Sequence, residues 1–312
     1  MTTETKQAFI ANFNCTFGKN NEPMLNHFFD VILPAFSQEI QGKPKSFFFE
    51  NVKLTNVKGE YALAGLIVKR TVLEIKSQYI NGELVKTDES YPSAPYSYFV
   101  INLQNHRMVL VKNQKGSPTL ANFSSLARDV LKSFISVKNT NLPEEEKIPQ
   151  VLLNVVAIPF QGAILEELKK VKKIKNVTLR FYPLNGDIMD NETVEHLTTA
   201  LKSLGSKTGA VSFNTPTEKE NVAKVIEDTK GLMKPTIKVE YKNGTSGTLK
   251  DGSFTEVMNI QVEETESFGK NIDTITGKVI NKPEFNELSE ENKTIYNRVY
   301  GKLEEYYKKL FK

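Results

Sequence analysis

Five lysines, Lys169, Lys170, Lys172, Lys173 and Lys175, fall in the stretch EELKKVKKIKNVTLRFYPLNGD. Ammonium groups at that density suit the neutralisation of phosphates, because each contact releases condensed counterions and adds a salt-dependent term indifferent to base sequence. On a helix spanning 162–174, Ile164, Leu168 and Val171 share one side and the lysines gather broadly on the other. Lysines in a last helical turn also complement the helix dipole. A solvated helix end therefore accounts for the same pattern without a ligand, and both readings stay open. Arg180, Lys43 and Lys45 in GKPKS, and the pair Lys69-Arg70 would extend a basic surface if the fold brings them together.

Metal-assisted cleavage is the competing chemistry. A nuclease of the PD-(D/E)xK kind holds its ion with an Asp and a Glu and places a Lys two residues after the Glu, on the same strand face, beside the attacking water. VEYK supplies Glu240 and Lys242 with Asp228 upstream; LEIK supplies Glu74 and Lys76 with Glu60 upstream. A chain this rich in Lys and Glu produces Glu-x-Lys by chance, as Glu4 in ETK shows. Asp187, Asp190 and Glu192 in NGDIMDNE could hold a hard cation through oxygens. They fit better as an Asn-Gly turn followed by acids at a helix start. His27, His106 and His196 stand too far apart to predict a zinc site, and Cys15, in the apolar ANFNCTF, reads as a core thiol. No phosphate-binding G-x-x-x-x-G-K-[ST], dinucleotide G-x-G-x-x-G or hydrolase G-x-S-x-G occurs, and no cofactor is expected.

The elements that must position these residues point to an α+β protein of two domains. The chain has 312 residues, 39% hydrophobic and 25% charged, with a net charge of +4. That length favours two domains. With a single cysteine and no apolar stretch behind a basic start, a reducing cytoplasm is the expected compartment. No apolar run approaches the roughly 20 residues of a membrane-spanning helix, so no membrane insertion is expected.

AFIANFNCTF reads as a strand and EPMLNHFFDVILPAF as a helix kinked by Pro34. SFFFENVKLTNV, YALAGLIVKRTVLEIKSQYI, YSYFVINL and RMVLVKN predict a mainly antiparallel sheet with a hairpin at Asn81-Gly82, crossed by a helix over SPTLANFSSLARDVLKSFISV. KNTNLPEEEKIPQ, residues 138–150, is the expected linker between domains 1–140 and 141–312. The second domain reads β-α-β-α-β-β, with Thr217 as an N-cap, PTIKVEYKNG and FTEVMNIQVEE as a hairpin, and helices on one face. A long C-terminal helix carries Ile295, Val299, Leu303, Tyr306 and Leu310 as a narrow seam, packed on its own domain or on a second subunit.

The order of these elements carries a resemblance. YSYFVINLQNHRMVLVKNQKGSPTLANFSSLARDVL, a strand, short turn, strand and polar loop leading into a helix, resembles a segment of RexA-like phage-exclusion and related prophage proteins. The run from VTLRFYPLNGD to MNIQVEE is similar to their second domain, so the likeness covers roughly residues 60–265. It is a likeness of pattern, and no functional residue carries over by position. It implies a dimeric, two-domain protein of a bacterial or prophage anti-phage defence system that binds double-stranded DNA without sequence preference and has no catalytic centre. The DNA-binding subunit of the Kiwa defence system is a related resemblance, and a second defence-system protein is an implied partner. Against this reading stand the nuclease and a protein-interaction module in which the lysines are idle.

Overall fold

The computed structural model describes residues 4–38, 46–183, 192–255, 257–262, 266–280, 282–286 and 288–310. In the first half, β1 (Glu4–Phe17) and β2 (Glu22–Pro23) lead through one turn of 3-10 helix and one of π-helix into α1 (Leu33–Ser37). Then come β3 (Phe47–Val57), β4 (Glu60–Lys69), β5 (Thr71–Ile80), β6 (Glu83–Ser93), β7 (Tyr96–Asn102), β8 (Arg107–Lys112) and α2 (Leu120–Asn139). The second half holds β9 (Val151–Ala157), α3 (Gln161–Lys169), β10 (Val171–Phe181), α4 (Glu192–Ser203), β11 (Gly209–Asn214), α5 (Lys219–Glu227), β12 (Met233–Tyr241) and β13 (Ser246–Lys250). It closes with β14 (Met258–Val262), α6 (Phe268–Val279), α7 (Pro283–Asn286) and α8 (Glu290–Leu310).

The first sheet runs β14-β1-β8-β7-β4-β3, all antiparallel, with β9 and β2 also paired to β1. β1 is long enough to serve four partners: Glu4–Ala8 meet β14, Gln7–Asn12 meet β8, Ala11–Phe17 meet β9, and Thr16 and Phe17 meet β2. Both faces of this sheet are covered. Phe13, Cys15, Phe99, Leu110 and Phe123 belong to a core closed by α2 and α8, while Ile10, Val100, Val109, Ile260 and Phe285 belong to a second closed by α6 and α7. Burial on two sides explains why YALAGLIV and RMVLV are apolar at nearly every position instead of alternating.

Several expectations need correction. The sheet draws on both sides of the expected 138–150 boundary, because β9 and β14 pair with β1. The 138–150 segment is itself tied down: Asn139 Nδ2 donates to the Ile148 carbonyl and Ile148 N–H donates back to Asn139 Oδ1, each at 2.9 Å. MNIQV does not hairpin with β12; SGTLK takes that place as β13, and MNIQV crosses to the first sheet as β14. The segment 24–37 is three short helical pieces, with Pro34 in the first turn of α1 where its missing N–H costs nothing. Glu218, not Thr217, precedes α5 and makes no capping bond. α8 packs on the first core through Ile295, Tyr296 and Leu303, and Tyr61 N–H donates to Tyr296 Oη at 2.9 Å. Its seam is therefore largely occupied within the chain.

Cys15 is fully buried, and desolvation pushes its thiol pKa far up. A thiol-specific reagent is expected to leave the folded protein unlabelled and to label it stoichiometrically in denaturant; rapid labelling of the native state would contradict this packing.

Among the described residues β5 and β6 pair only with each other, through a turn in which Asn81 and Gly82 both have positive φ, as a two-residue hairpin of this hand requires. Register places Leu73 opposite Tyr91 and Tyr79 opposite Leu84 on one face of this arm. Tyr79 is 75% and Leu84 73% exposed.

Candidate nucleic-acid interface

Among the described residues, the second sheet, β11-β10-β12-β13, has helices against one face only. Alternation along β12 sends Met233, Pro235, Ile237 and Val239 inward and Lys234, Thr236, Lys238 and Glu240 to the open face. Register decides what stands beside them. On β10, Arg180 lies opposite Lys234, Thr178 opposite Thr236, Asn176 opposite Lys238, and Lys173 opposite Glu240. On the far side of β12, Lys250 is opposite Thr236 and Thr248 opposite Lys238.

Two irregularities in β10, at Lys172 and at Lys175, break strict alternation and let both side chains reach the same end of the sheet. Lys172 Nζ lies 3.2 Å and Lys175 Nζ 3.6 Å from the Glu240 carboxylate, and Lys175 also donates to Ser246 Oγ at 2.8 Å. The Lys172 hydrogen bond and charge, followed by Lys175, hold the Glu240 carboxyl below the usual carboxylate range. Between the cations lies a hydroxyl and amide network. Asn176 Nδ2 donates to Ser212 Oγ at 2.7 Å and to Asn214 Oδ1 at 2.9 Å, and Thr178 Oγ1 donates to Asn176 Oδ1 at 2.8 Å.

This face thus gathers Lys172, Lys173, Lys175, Arg180, Lys234, Lys238 and Lys250, with Glu240 as the acid that register places among them. Like charges directly opposite one another, as Arg180 and Lys234 are, destabilise a sheet by themselves. A bound polyanion reverses the sign of that term.

The expected lysine helix over 162–174 is overturned. α3 stops at Lys169 and the chain extends into β10 at Val171, where Val171, Ile174, Val177 and Leu179 join the core of the second sheet. Lys169 and Lys170 remain at the helix end, each 2.6 Å from a glutamate, Glu166 and Glu167. Lys69 and Arg70 belong to the first sheet, where β4 ends, with the Arg70 guanidinium 4.6 Å over the Phe48 ring. Lys43 and Lys45 lie outside the described residues. Lys234, Lys238 and Lys250 were missed by sequence reasoning. The signal existed in the alternation of MKPTIKVEY, but only the pairing of β12 with β10 and β13 makes those lysines neighbours of Arg180.

The nuclease triad does not assemble. Asp228 caps the C-terminus of α5, whose Ala223 and Ile226 pack under the covered face of the sheet, while Glu240 points to the open face and is held by lysines. Glu74 and Lys76 sit 3.7 Å apart on the exposed arm, and Glu60 accepts from Asn102 Nδ2 in the first sheet. Among the described residues, no three His, Cys, Asp or Glu side chains converge to hold a metal. Of the acidic cluster, Glu192 opens α4, and Asp187 and Asp190 lie outside the described residues. His27 pairs with Glu22 at 3.0 Å, His106 is buried in the β7–β8 turn, and His196 is exposed on α4.

The fold is an α+β architecture of two larger antiparallel sheets, one enclosed by helices and one open on a basic face, with β5 and β6 as a two-stranded arm. The chain matches no protein-family model, no curated protein and no solved structure. Among the described residues no helix is long and apolar enough to cross a membrane.

Proposed function

We propose that this protein binds the phosphate backbone of double-stranded DNA without sequence preference, through the open face of the second sheet, and catalyses no reaction on it. The observation that carries this reading is the set of seven cations on one sheet face with a single carboxylate, Glu240, among the described side chains there. The Thr, Ser and Asn side chains between them are donors of the kind that contact phosphate oxygens. The positions on that face carry no aromatic ring, and Phe213 on β11 pairs with Val177 on the covered side. Single strands bind by stacking on aromatics, so the composition favours a duplex. A role in anti-phage defence rests on the likeness to RexA-like proteins alone.

The test is fluorescence anisotropy with a random-sequence duplex across a salt series, repeated with magnesium while product length is followed. Affinity is expected to fall linearly in log–log salt with a slope near −5 for about six phosphate contacts, with the DNA intact. Cleavage, or no binding at low salt, overturns the reading. Glu240→Gln is expected to tighten binding severalfold at low salt and steepen the slope by up to about 2, because Lys172 and Lys175 lose their internal partner. In a metal-dependent nuclease the same variant would instead abolish magnesium-dependent cleavage of the duplex.

The β5–β6 arm favours a dimer. A two-stranded ribbon is marginal in water by itself, and this one leaves Leu73, Tyr79, Leu84 and Tyr91 on one face. Lys76 and Lys86 against Glu74, Glu83, Asp88 and Glu89 give the arm −2, while the chain stands at +4, leaving +6 on the remainder. An acidic arm is repelled by DNA and attracted to the basic body of a second copy, which is the occupant this reading assigns. Replacing Tyr79 and Leu84 by serine is expected to halve the mass measured by light scattering while the far-ultraviolet circular dichroism stays native. A monomeric parent, or an unchanged dimer in the variant, excludes the arm.

A further inference from the structure

The first turn of α2, the adjoining ends of β1, β8 and β9, the start of β12 and the loop after β13 enclose a cleft of about 440 Å³. Among the described residues its lining holds three cations, Lys112 from β8, Arg128 from α2 and Lys234 from β12, and no carboxylate. Ser124 and Ser125 on the same face of α2 add hydroxyls, and the wall between them is apolar, with Phe9, Leu120 and Val155. Lys112 Nζ stands 5.0 Å over the Phe9 ring. Arg128 Nη2 donates to Ser124 Oγ at 3.3 Å and to the Leu153 carbonyl at 3.4 Å, which orients the guanidinium without neutralising it.

An independent observation points to a ligand. Thr255, which also lines the cleft, is only 6% exposed, and its hydroxyl has no hydrogen-bond partner among the described residues. Buried hydroxyls are almost always paired, so an orphan at the wall of a cleft rich in donors marks a missing acceptor. The positive end of α2, a helix of 20 residues, is directed at the same place, since its N-cap Thr119 and its first residues Leu120 and Ala121 form part of the wall. A site with three cations, spare hydroxyl donors and a helix N-terminus selects a phosphate over a carboxylate by charge and by number of acceptors. The volume and the apolar wall leave room for an attached organic group of nucleotide size.

From this geometry we infer that the cleft binds a phosphate carried on a nucleotide-sized organic group, with Arg128 and Lys112 as its principal charge partners and Thr255 as a donor. The inference is separate from the duplex-binding reading, although Lys234 borders both surfaces. The phosphate has two sources: a free nucleotide, or a terminal phosphate on DNA held by the open sheet.

The experiment is isothermal titration calorimetry of the full chain with inorganic phosphate, then AMP and ADP, supported by thermal shift. Saturable binding of AMP or ADP is expected in the range of about 10 μM to 1 mM. Arg128→Gln and Lys112→Gln are each expected to weaken it by about tenfold or more while the apo melting temperature changes little. Thr255→Val separates a binding role from a structural one: it should weaken nucleotide binding yet leave the apo protein as stable or more so, because it removes an unpaired hydroxyl. The combined Arg180→Glu, Lys238→Glu and Lys250→Glu variant should keep its nucleotide affinity. Competition of AMP by a 5′-phosphorylated duplex but not by its unphosphorylated form assigns the DNA end as source; no competition by either assigns a free nucleotide. The inference is overturned by the absence of saturable heat up to about 5 mM nucleotide, or by equal binding in Arg128→Gln.

Discussion

Replacing Arg180, Lys238 and Lys250 together by glutamate is expected to reduce duplex affinity by about 10³-fold at about 50 mM salt, near tenfold per charge. The three residues lie on three adjacent strands, and their register places them on one face. A local loss at one strand cannot produce the combined effect; a shared phosphate track can. The salt slope should fall by about 0.9 for each lost contact, to roughly half its parent value. These side chains are exposed and face away from the core built by Val177, Leu179, Ile237 and Val239. The melting temperature is therefore expected to stay level, or to rise slightly as the cross-strand repulsion between Arg180 and Lys234 is relieved. The same triple substitution leaves Lys169 and Lys170 intact, so retained affinity would return the interface to the helix end that the sequence first indicated.

The second large effect is on stability. Phe123 on α2 is fully buried and meets Phe13, Phe36, Phe49 and Phe99 with ring centroids 6.2, 6.2, 5.5 and 5.1 Å away. Those rings come from β1, α1, β3 and β7, so this one side chain joins the covering helices to three strands of the first sheet. Phe123→Ala removes the ring and leaves a cavity that four surrounding aromatics fill only in part, at a cost of about 3–5 kcal/mol. Against a typical total of about 5–15 kcal/mol, that loss is expected to lower the melting temperature by about 10 °C. Differential scanning calorimetry checks it, and a shift near zero would mean the aromatic cluster is not the centre of the first core.

The open face also explains why the strongest compositional feature was a partial guide. Three of the five clustered lysines, Lys172, Lys173 and Lys175, do reach the basic surface, but as strand residues, and two of them are held by Glu240. Lys169 and Lys170 sit at the end of α3 beside their own glutamates, an arrangement that contributes little when solvated. Arg180 and Lys238, which have no carboxylate partner among the described residues, are scattered in sequence and carry no motif.

Local chemistry in the sequence determined the elements. The apolar spacing of α2, the Asn81-Gly82 turn, the alternation of β12 and the stripe of α8 are each set by interactions within a few residues, and each was legible before any pairing was known. The length of α3 was not. Val171 and Ile174 suit a helix face as well as a strand, and pairing with β12 settles the choice by burying them in the second core. Sheet membership was equally out of reach. VLLNVVA and MNIQV read correctly as strands, yet only β1, with two edges along fourteen residues, decides that both join the first sheet across the expected boundary. Strand partners are chosen by long-range burial and hydrogen bonding that no local window contains. For the same reason the basic face, whose members come from β10, β12 and β13, exists only in the tertiary structure.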